Sequence, residues 1–330
     1  MPTVKTIAVI NQKGGVGKTT SVANLGAAIA QSGRRVCLVD LDPQSHLTLH
    51  LGIEPGSTPL SVYDLLTDDT PFADAAVEVD HGLLVVPAVI DLAAAEVELA
   101  GTVGREQILR DKLAETDMQC DYVMIDCPPS LGLLTLNALA AADEVVIPLQ
   151  PHFLALQGLG KLLETVSLVR RRINPKLRVS GIMLCMFDTG TRLSGEVVAD
   201  LTAFVDASRG TDAPWADARI FENVIRRNIK LAECPSHGKT IFDYEPYSNG
   251  ADDYAALAEE FIEVHEAPAA PASAGPDAPA ATAPDLPDQF VIEEVIEAPD
   301  AAAQGDEGAA ALDEASDGPD RGPGQEPGQA

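Results

Sequence analysis

Three glycines in four positions, Gly14, Gly15 and Gly17, separate a run of apolar residues (6–10) from a helix-like pattern spanning about residues 18–32. So many glycines cannot continue either element, so the chain reads as strand, tight loop, helix. A triphosphate needs several N–H donors aimed at one point. Glycines let the backbone curl around such an anion, and the following helix offers its positive end. Gly14, Gly15, Val16 and Gly17 supply the curl, and the helix opens at Lys18, Thr19 and Thr20. The Lys18 ammonium can reach the outer phosphates, and the Thr19 hydroxyl can ligate Mg²⁺. The common phosphate-loop pattern G-x-x-x-x-G-K-[ST] asks for glycine at position 12. This chain has Gln12 there and a second lysine, Lys13, at the head of the loop. A dinucleotide fingerprint, G-x-G-x-x-G, fails because its third glycine would be Thr20.

Beyond the loop, short apolar runs alternate with helical patterns. Residues 36–39, 83–86, 122–125, 145–147 and 182–184 read as strands, and residues 154–173 as a helix between the last two. Runs that are apolar on both faces belong to a parallel sheet covered on both sides by helices. The expected fold class is therefore α/β: a doubly wound, mostly parallel sheet with helices on both faces. Ligands of such sheets sit beyond the carboxyl ends of the strands. Asp40 and Asp42, in Asp40-Leu41-Asp42-Pro43-Gln44, and Asp126, before Cys127-Pro128-Pro129-Ser130, lie there. Beside a phosphate loop, one such acid can orient an attacking water and others can hold a magnesium shell.

Composition divides the chain at about residue 265. The folded domain is expected over residues 1–265. Residues 266–330 are rich in Ala, Pro, Asp and Glu and cannot bury enough apolar area to offset their ordering entropy; this tail is expected to be disordered. It carries 15 acids and one base, about half of the formal charge of −29. One apolar patch interrupts it, residues 290–296. The acidity of the folded part means that any DNA contact needs a local basic patch. The five cysteines are scattered, without a C-x-x-C pair, as expected of reduced thiols. No signal peptide or membrane-length apolar run is visible, so a cytoplasmic protein is expected. His46 and His50 have the i, i+4 spacing of helical metal ligands but lack a third partner.

Four motifs in order resemble the ParA/MinD family of deviant-loop ATPases, and within it ParA proteins of the Soj type. They are residues 11–20, Asp40-Leu41-Asp42-Pro43-Gln44, residues 125–132, and residues 231–239, Leu-Ala-Glu-Cys-Pro-Ser-His-Gly-Lys. The resemblance spans about residues 4–262 and implies a P-loop NTPase fold of the SIMIBI type with ATP and Mg²⁺ as cofactors. By the same resemblance, Lys13 is the lysine that crosses a dimer interface to the partner's nucleotide, so nucleotide state and dimerisation become linked. Lys18 and Asp42 join Lys13 as catalytic residues, with Asp42 positioning the hydrolytic water. Thr19, Asp40 and Asp126 serve magnesium. Pro235 and Ser236, with Met186 and Asp188 nearby, form the adenine pocket.

The implied function is an ATP-dependent homodimer that binds nonspecific double-stranded DNA, partitions chromosomes or plasmids, and is stimulated by a ParB-like partner. Arg226, Arg227 and Lys230 occupy the DNA-facing stretch, where Pro-Arg-Asn-x-Arg is commoner, so that Arg226 replaces a proline. Arg192 lies near the other usual basic position, and Arg170, Arg171, Arg172, Lys176 and Arg178 could widen the patch. Ser45-His46 stands where the family often has Gly-Asn. The last residues, 325–330, lack the basic amphipathic helix of MinD, so no membrane anchor is expected. Two alternatives stay open: a positioning ATPase for a protein or membrane-associated cargo without DNA binding, and a synthetase acting on a small carboxylate, against which Lys13 argues.

Overall fold

A computed structural model describes residues 4–266. The expected disordered tail, with its apolar patch at 290–296, lies outside the described residues apart from Glu266, which closes the last helix.

Eight strands form one sheet: β1 (Lys5–Val9), β2 (Val36–Asp40), β3 (Val77–Asp80), β4 (Leu83–Val86), β5 (Tyr122–Asp126), β6 (Glu144–Leu149), β7 (Arg178–Leu184) and β8 (Arg219–Ile220). Their order is β3-β4-β2-β5-β1-β6-β7-β8. Every pairing is parallel except β3 with β4. The runs expected from apolarity are all strands here. In β2 and β5 all five residues are buried, as a central parallel strand requires. Two strands carried no such signal. β3 alternates half-buried and exposed residues at an antiparallel edge, and β8 has only two residues.

Successive side chains feed two separate cores. Ala8, Cys37, Val39, Val123 and Ile125 point into one, which is filled by the helices Leu133–Ala141, Phe153–Arg172 and Arg192–Ser208. Ile7, Val9, Val36, Leu38 and Met124 point into the other, which is closed by the helices Lys18–Gln31 and Asn249–Glu266. That period of two is the signature of a strand buried on both faces. The first helix lies so close to the sheet that a Cβ on Gly26 would come within 2.6 Å of Leu38 Cδ2. Burying its Val22, Leu25 and Ile29 contributes about 1.5–3 kcal/mol each.

The register positions the site. Val9 pairs with Asp126 and Asp40 pairs with Asp126, so β1, β2 and β5 end level with one another. The glycine loop and two of the three predicted acids therefore emerge side by side at the carboxyl end of the sheet, where β1 lies between β5 and β6 and the winding reverses.

Candidate functional site

The loop is held open by its own backbone. Gly15 and Gly17 have φ of 72° and 93°, left-handed conformations that side chains disfavour. Gly17 is the cap residue of the helix Lys18–Gln31, and its carbonyl accepts from Ser21 N at 2.8 Å. Asn11 fastens the head of the loop: its Nδ2 donates to Pro148 O at 2.7 Å, and its Oδ1 accepts from Lys13 N at 2.9 Å. The sequence motif contained Asn11 but gave no sign of this role.

The two lysines are placed differently. Lys18 is 7 % exposed, and its Nζ lies 3.5 Å from Lys13 O across the loop. The Lys13 side chain is exposed and meets His152 Nε2. A cavity of about 750 Å³ opens in front of the loop, within the roughly 300–1,000 Å³ typical of small-molecule sites. Gly14, Gly15, Gly17, Lys18, Thr19 and Thr20 line it, whereas Lys13 does not. Val16 is buried beneath the loop. Met186, Pro235 and Ser236, predicted for the base, also line it. Met186 takes a φ of 50°, and Pro235 and Ser236 lie in the 3-10 turn Cys234–His237. Asp188 does not line the cavity and instead accepts from Gly190 N at 2.9 Å. Cys185, Ile225 and Tyr254 also line the cavity, although no sequence motif pointed to them. Tyr254 comes from the last helix, and its hydroxyl lies 3.0 Å from Ser21 Oγ.

The three acids differ in their surroundings. Asp40 is fully buried and accepts from Thr48 N and Oγ1 at 2.8 and 2.7 Å, and from Asp42 N at 3.2 Å. Burial raises its pKa to about 6, against the opposing pull of those hydrogen bonds. Asp126 is also fully buried, and neither of its carboxylate oxygens has a hydrogen-bond partner among the described residues. Burial, then the neighbouring Asp40, push its pKa well above the ordinary carboxylate range. Thr19 and Lys18 oppose that rise, Thr19 without reaching hydrogen-bond geometry. Asp42 lines the cavity, 8 % exposed, with Oδ1 accepting from Gln44 N at 2.9 Å.

A buried carboxylate with orphaned oxygens beside a second buried acid is costly alone and suits a cation. Among the described residues no three His, Cys, Asp or Glu are grouped to hold a metal ion by themselves. This donor set fits Mg²⁺, which keeps several waters and takes few protein ligands beside substrate phosphates. His46 is exposed and His50 is buried, with Nε2 3.5 Å from Cys234 Sγ, so the two do not converge as ligands.

Three of the four predicted DNA-facing cations have acidic partners. Arg192 pairs with Glu196 at 2.9 Å, Lys230 with Glu233 at 2.8 Å and Arg226 with Asp253 at 2.6 Å. Arg227 is exposed, and its side chain has no partner among the described residues. Arg226 also lines the cavity. Arg178 begins β7 at the amino end of the sheet, where it pairs with Glu144, so it adds nothing to a patch at the carboxyl end.

Comparison with known proteins agrees with this fold. The AAA domain family matches residues 4–179. Over 258 residues the chain is 47 % identical to the sporulation initiation inhibitor protein Soj of Bacillus subtilis, covering 78 % of this chain and 97 % of Soj. It is 43 % identical over 266 residues to the chromosome partitioning protein ParA of Myxococcus xanthus, covering 80 % and 90 %. Among solved structures, cobyrinic acid a,c-diamide synthase from Mycobacterium smegmatis, with bound ADP and magnesium, superposes with a TM-score of 0.67 at 38 % identity, covering 80 % of this chain and 96 % of that one.

Proposed function

Because the chain belongs to the ParA/Soj family of P-loop ATPases, we propose that it is an ATP-dependent dimerisation switch that binds nonspecific DNA and drives chromosome or plasmid partitioning. The observation that carries this reading is the separation of the two loop lysines. Lys18 is buried at the cavity, while Lys13 heads the same loop with its ammonium outside it. A charge so placed does little for its own nucleotide and, on leaving His152, serves that of a second copy. ATP binding and dimer closure then share one coupling free energy.

The reaction is attack of water on the γ-phosphate, giving ADP and phosphate, slow without a ParB-like partner. The loop amides and Lys18 hold the phosphates, and Lys13 of the opposing copy adds positive charge where the transition state gathers negative charge. Asp42 orients the water: its Oδ1 is engaged by Gln44 N, which leaves Oδ2 to accept a water proton. Thr19 would hold Mg²⁺, with Asp40 and Asp126 ordering its waters; bound there, the ion neutralises phosphate charge. Met186, Pro235 and Ser236 enclose the nucleoside.

Light scattering with and without ATP tests the switch. The expected result is an ATP-dependent dimer for the unaltered protein, none for Lys18→Ala, and a persistent dimer for Asp42→Ala. An Asp42→Ala protein that stays monomeric in ATP refutes the assignment.

The ion pairs of Arg192, Arg226 and Lys230 favour a second reading, a positioning ATPase for a protein cargo without DNA. A gel shift with nonspecific duplex at low salt separates the two: retardation only with ATP supports the DNA-binding switch, and none in either condition supports the second reading.

A further inference from the structure

Arg226 is the one predicted DNA-facing residue that lines the cavity. Its main chain bridges to Phe187, which places it beside Met186. Asp253, from the last helix, fixes it in several ways. Arg226 N donates to Asp253 Oδ2 at 2.9 Å, Nε donates to Oδ1 and Oδ2 at 2.9 and 3.1 Å, and Nη2 donates to Oδ1 at 2.6 Å. The Asp253 side chain is 8 % exposed, so this ion pair is largely shielded from water on the acid's side. Nη1 is the guanidinium nitrogen left without a partner among the described residues, on a side chain that is 42 % exposed. A planar guanidinium clamped on two nitrogens presents its remaining N–H groups in a fixed direction, so little entropy is lost when they find an acceptor.

The neighbouring groups on this wall offer no rival donor of that strength. Asn228 presents only a neutral amide donor, its Oδ1 being engaged by Lys230 N, Pro235 has no N–H, and Ser236 Oγ donates to Glu233 O. The phosphates already have the loop amides and Lys18, and Arg226 lies on the wall shared with Met186 and Pro235. We propose that Arg226 is a specificity residue, donating through Nη1 to an acceptor on the nucleoside part of the bound nucleotide, with Asp253 as its positioning residue. The proposal rests on reading the cavity as the nucleotide site. The arginine stands where the resemblance makes proline commoner, and proline has no side-chain donor, so a chain with proline there lacks this contact.

Calorimetric titration with Mg²⁺-ATP and, separately, with inorganic tripolyphosphate tests it on the unaltered protein, Arg226→Gln, Arg226→Lys and Asp253→Asn, with melting temperatures recorded for each. A lost hydrogen bond from a charged group should weaken ATP binding by about ten-fold or more in Arg226→Gln while leaving tripolyphosphate binding unchanged. Arg226→Lys keeps a cation beside Asp253 but cannot supply a second forked donor, so it should show the same split with a smaller loss of melting temperature. Asp253→Asn should show the split as well, because Arg226 loses its clamp. ATP affinity within about two-fold of the unaltered protein in both Arg226 variants overturns the proposal. So does an equal loss for ATP and tripolyphosphate, which marks a purely structural role. An unaltered protein that binds neither ligand removes the nucleotide reading itself, a result distinct from the other two.

Discussion

Gly17 carries the clearest single-residue constraint, with a φ of 93° at the mouth of the first helix. A Cβ there would sit 3.6 Å from Cys185 Cβ, an ordinary contact, so the penalty for Gly17→Ala is backbone strain and not collision. That strain costs about 1–2 kcal/mol, or roughly 2–4 °C of melting temperature per kcal/mol in a domain of this size. The loop should relax by turning its amides away from the phosphates, so the variant should melt a few degrees lower and lose the thermal shift on adding Mg²⁺-ATP. A full nucleotide shift in Gly17→Ala would contradict this account. Asp126 gives a prediction of opposite sign. Its carboxylate is buried, lacks hydrogen-bond partners and is pushed toward the protonated form. Asp126→Asn removes the cost of ionising it and should raise the melting temperature of the nucleotide-free protein at pH 7–8. The gain should shrink as the pH falls toward the ordinary carboxylate range, where the acid of the unfolded chain is protonated as well. The same variant should gain less stability than wild type from Mg²⁺-ATP. The glycine loop and the three acids could be located in the sequence because glycines cannot continue a strand or helix and each acid closely follows an apolar strand. The Arg226–Asp253 pair could not, since nothing local in the sequence joins positions 27 residues apart in an irregular segment and a helix.

At the scale of elements, the last helix is pinned at the amino end of the sheet, away from the loop. His265 Nε2 lies 2.8 Å from Glu144 Oε2, a close polar contact outside hydrogen-bond geometry, and Arg178 Nη2 donates to Glu144 Oε1 at 2.5 Å. The Phe261 ring stacks on His265 at 3.9 Å, and Arg34 bonds Glu266 through Nε and Nη2. Burial alone would raise the pKa of Glu144, but His265 and Arg178 overcome it and bring it down to about 2. A carboxylate lowered on folding contributes stability that is present above its unfolded value, near 4.5, and is lost as the pH falls through about 2. Glu144→Gln should therefore cost on the order of 2–3 kcal/mol at neutral pH, and the gap to wild type should close between about pH 4.5 and 2. Chemical denaturation at a series of pH values checks it; a gap independent of pH would mean that packing, not charge, holds the anchor. Elements of the central sheet were readable because burial on both faces leaves uninterrupted apolar runs, as in Val36-Cys37-Leu38-Val39. The edge strands escaped notice for the converse reason: Val77-Glu78-Val79-Asp80 has one wet face and four residues, and Arg219-Ile220 is too short to show any period.

For the whole molecule, charge is the quantity that decides how a DNA-binding reading can work. The chain holds 51 acids against 22 bases, and the 64 residues beyond Glu266 hold 14 of those acids and one arginine. Such a total repels phosphate out to roughly the Debye length, about 10 Å at 0.1 M salt and farther at lower salt, so a local patch around the exposed Arg227 must act against a surrounding field of the wrong sign. Among the described residues, both cores are closed by helices ending at or before Glu266, so a chain cut after that residue retains every packed element of the sheet. Removing residues 267–330 should strengthen binding of nonspecific duplex by the ATP-bound form at low salt, because the charge removed is almost wholly negative. Screening should then erase most of the advantage as salt rises from about 50 to 200 mM, while contacts within the patch itself keep the usual dependence on released counterions. Fluorescence anisotropy with a labelled duplex measures both terms. If the shortened and full-length chains bind alike at the lowest salt, the tail's charge does not reach the DNA-binding surface, and the acidity of the folded part alone sets the long-range barrier.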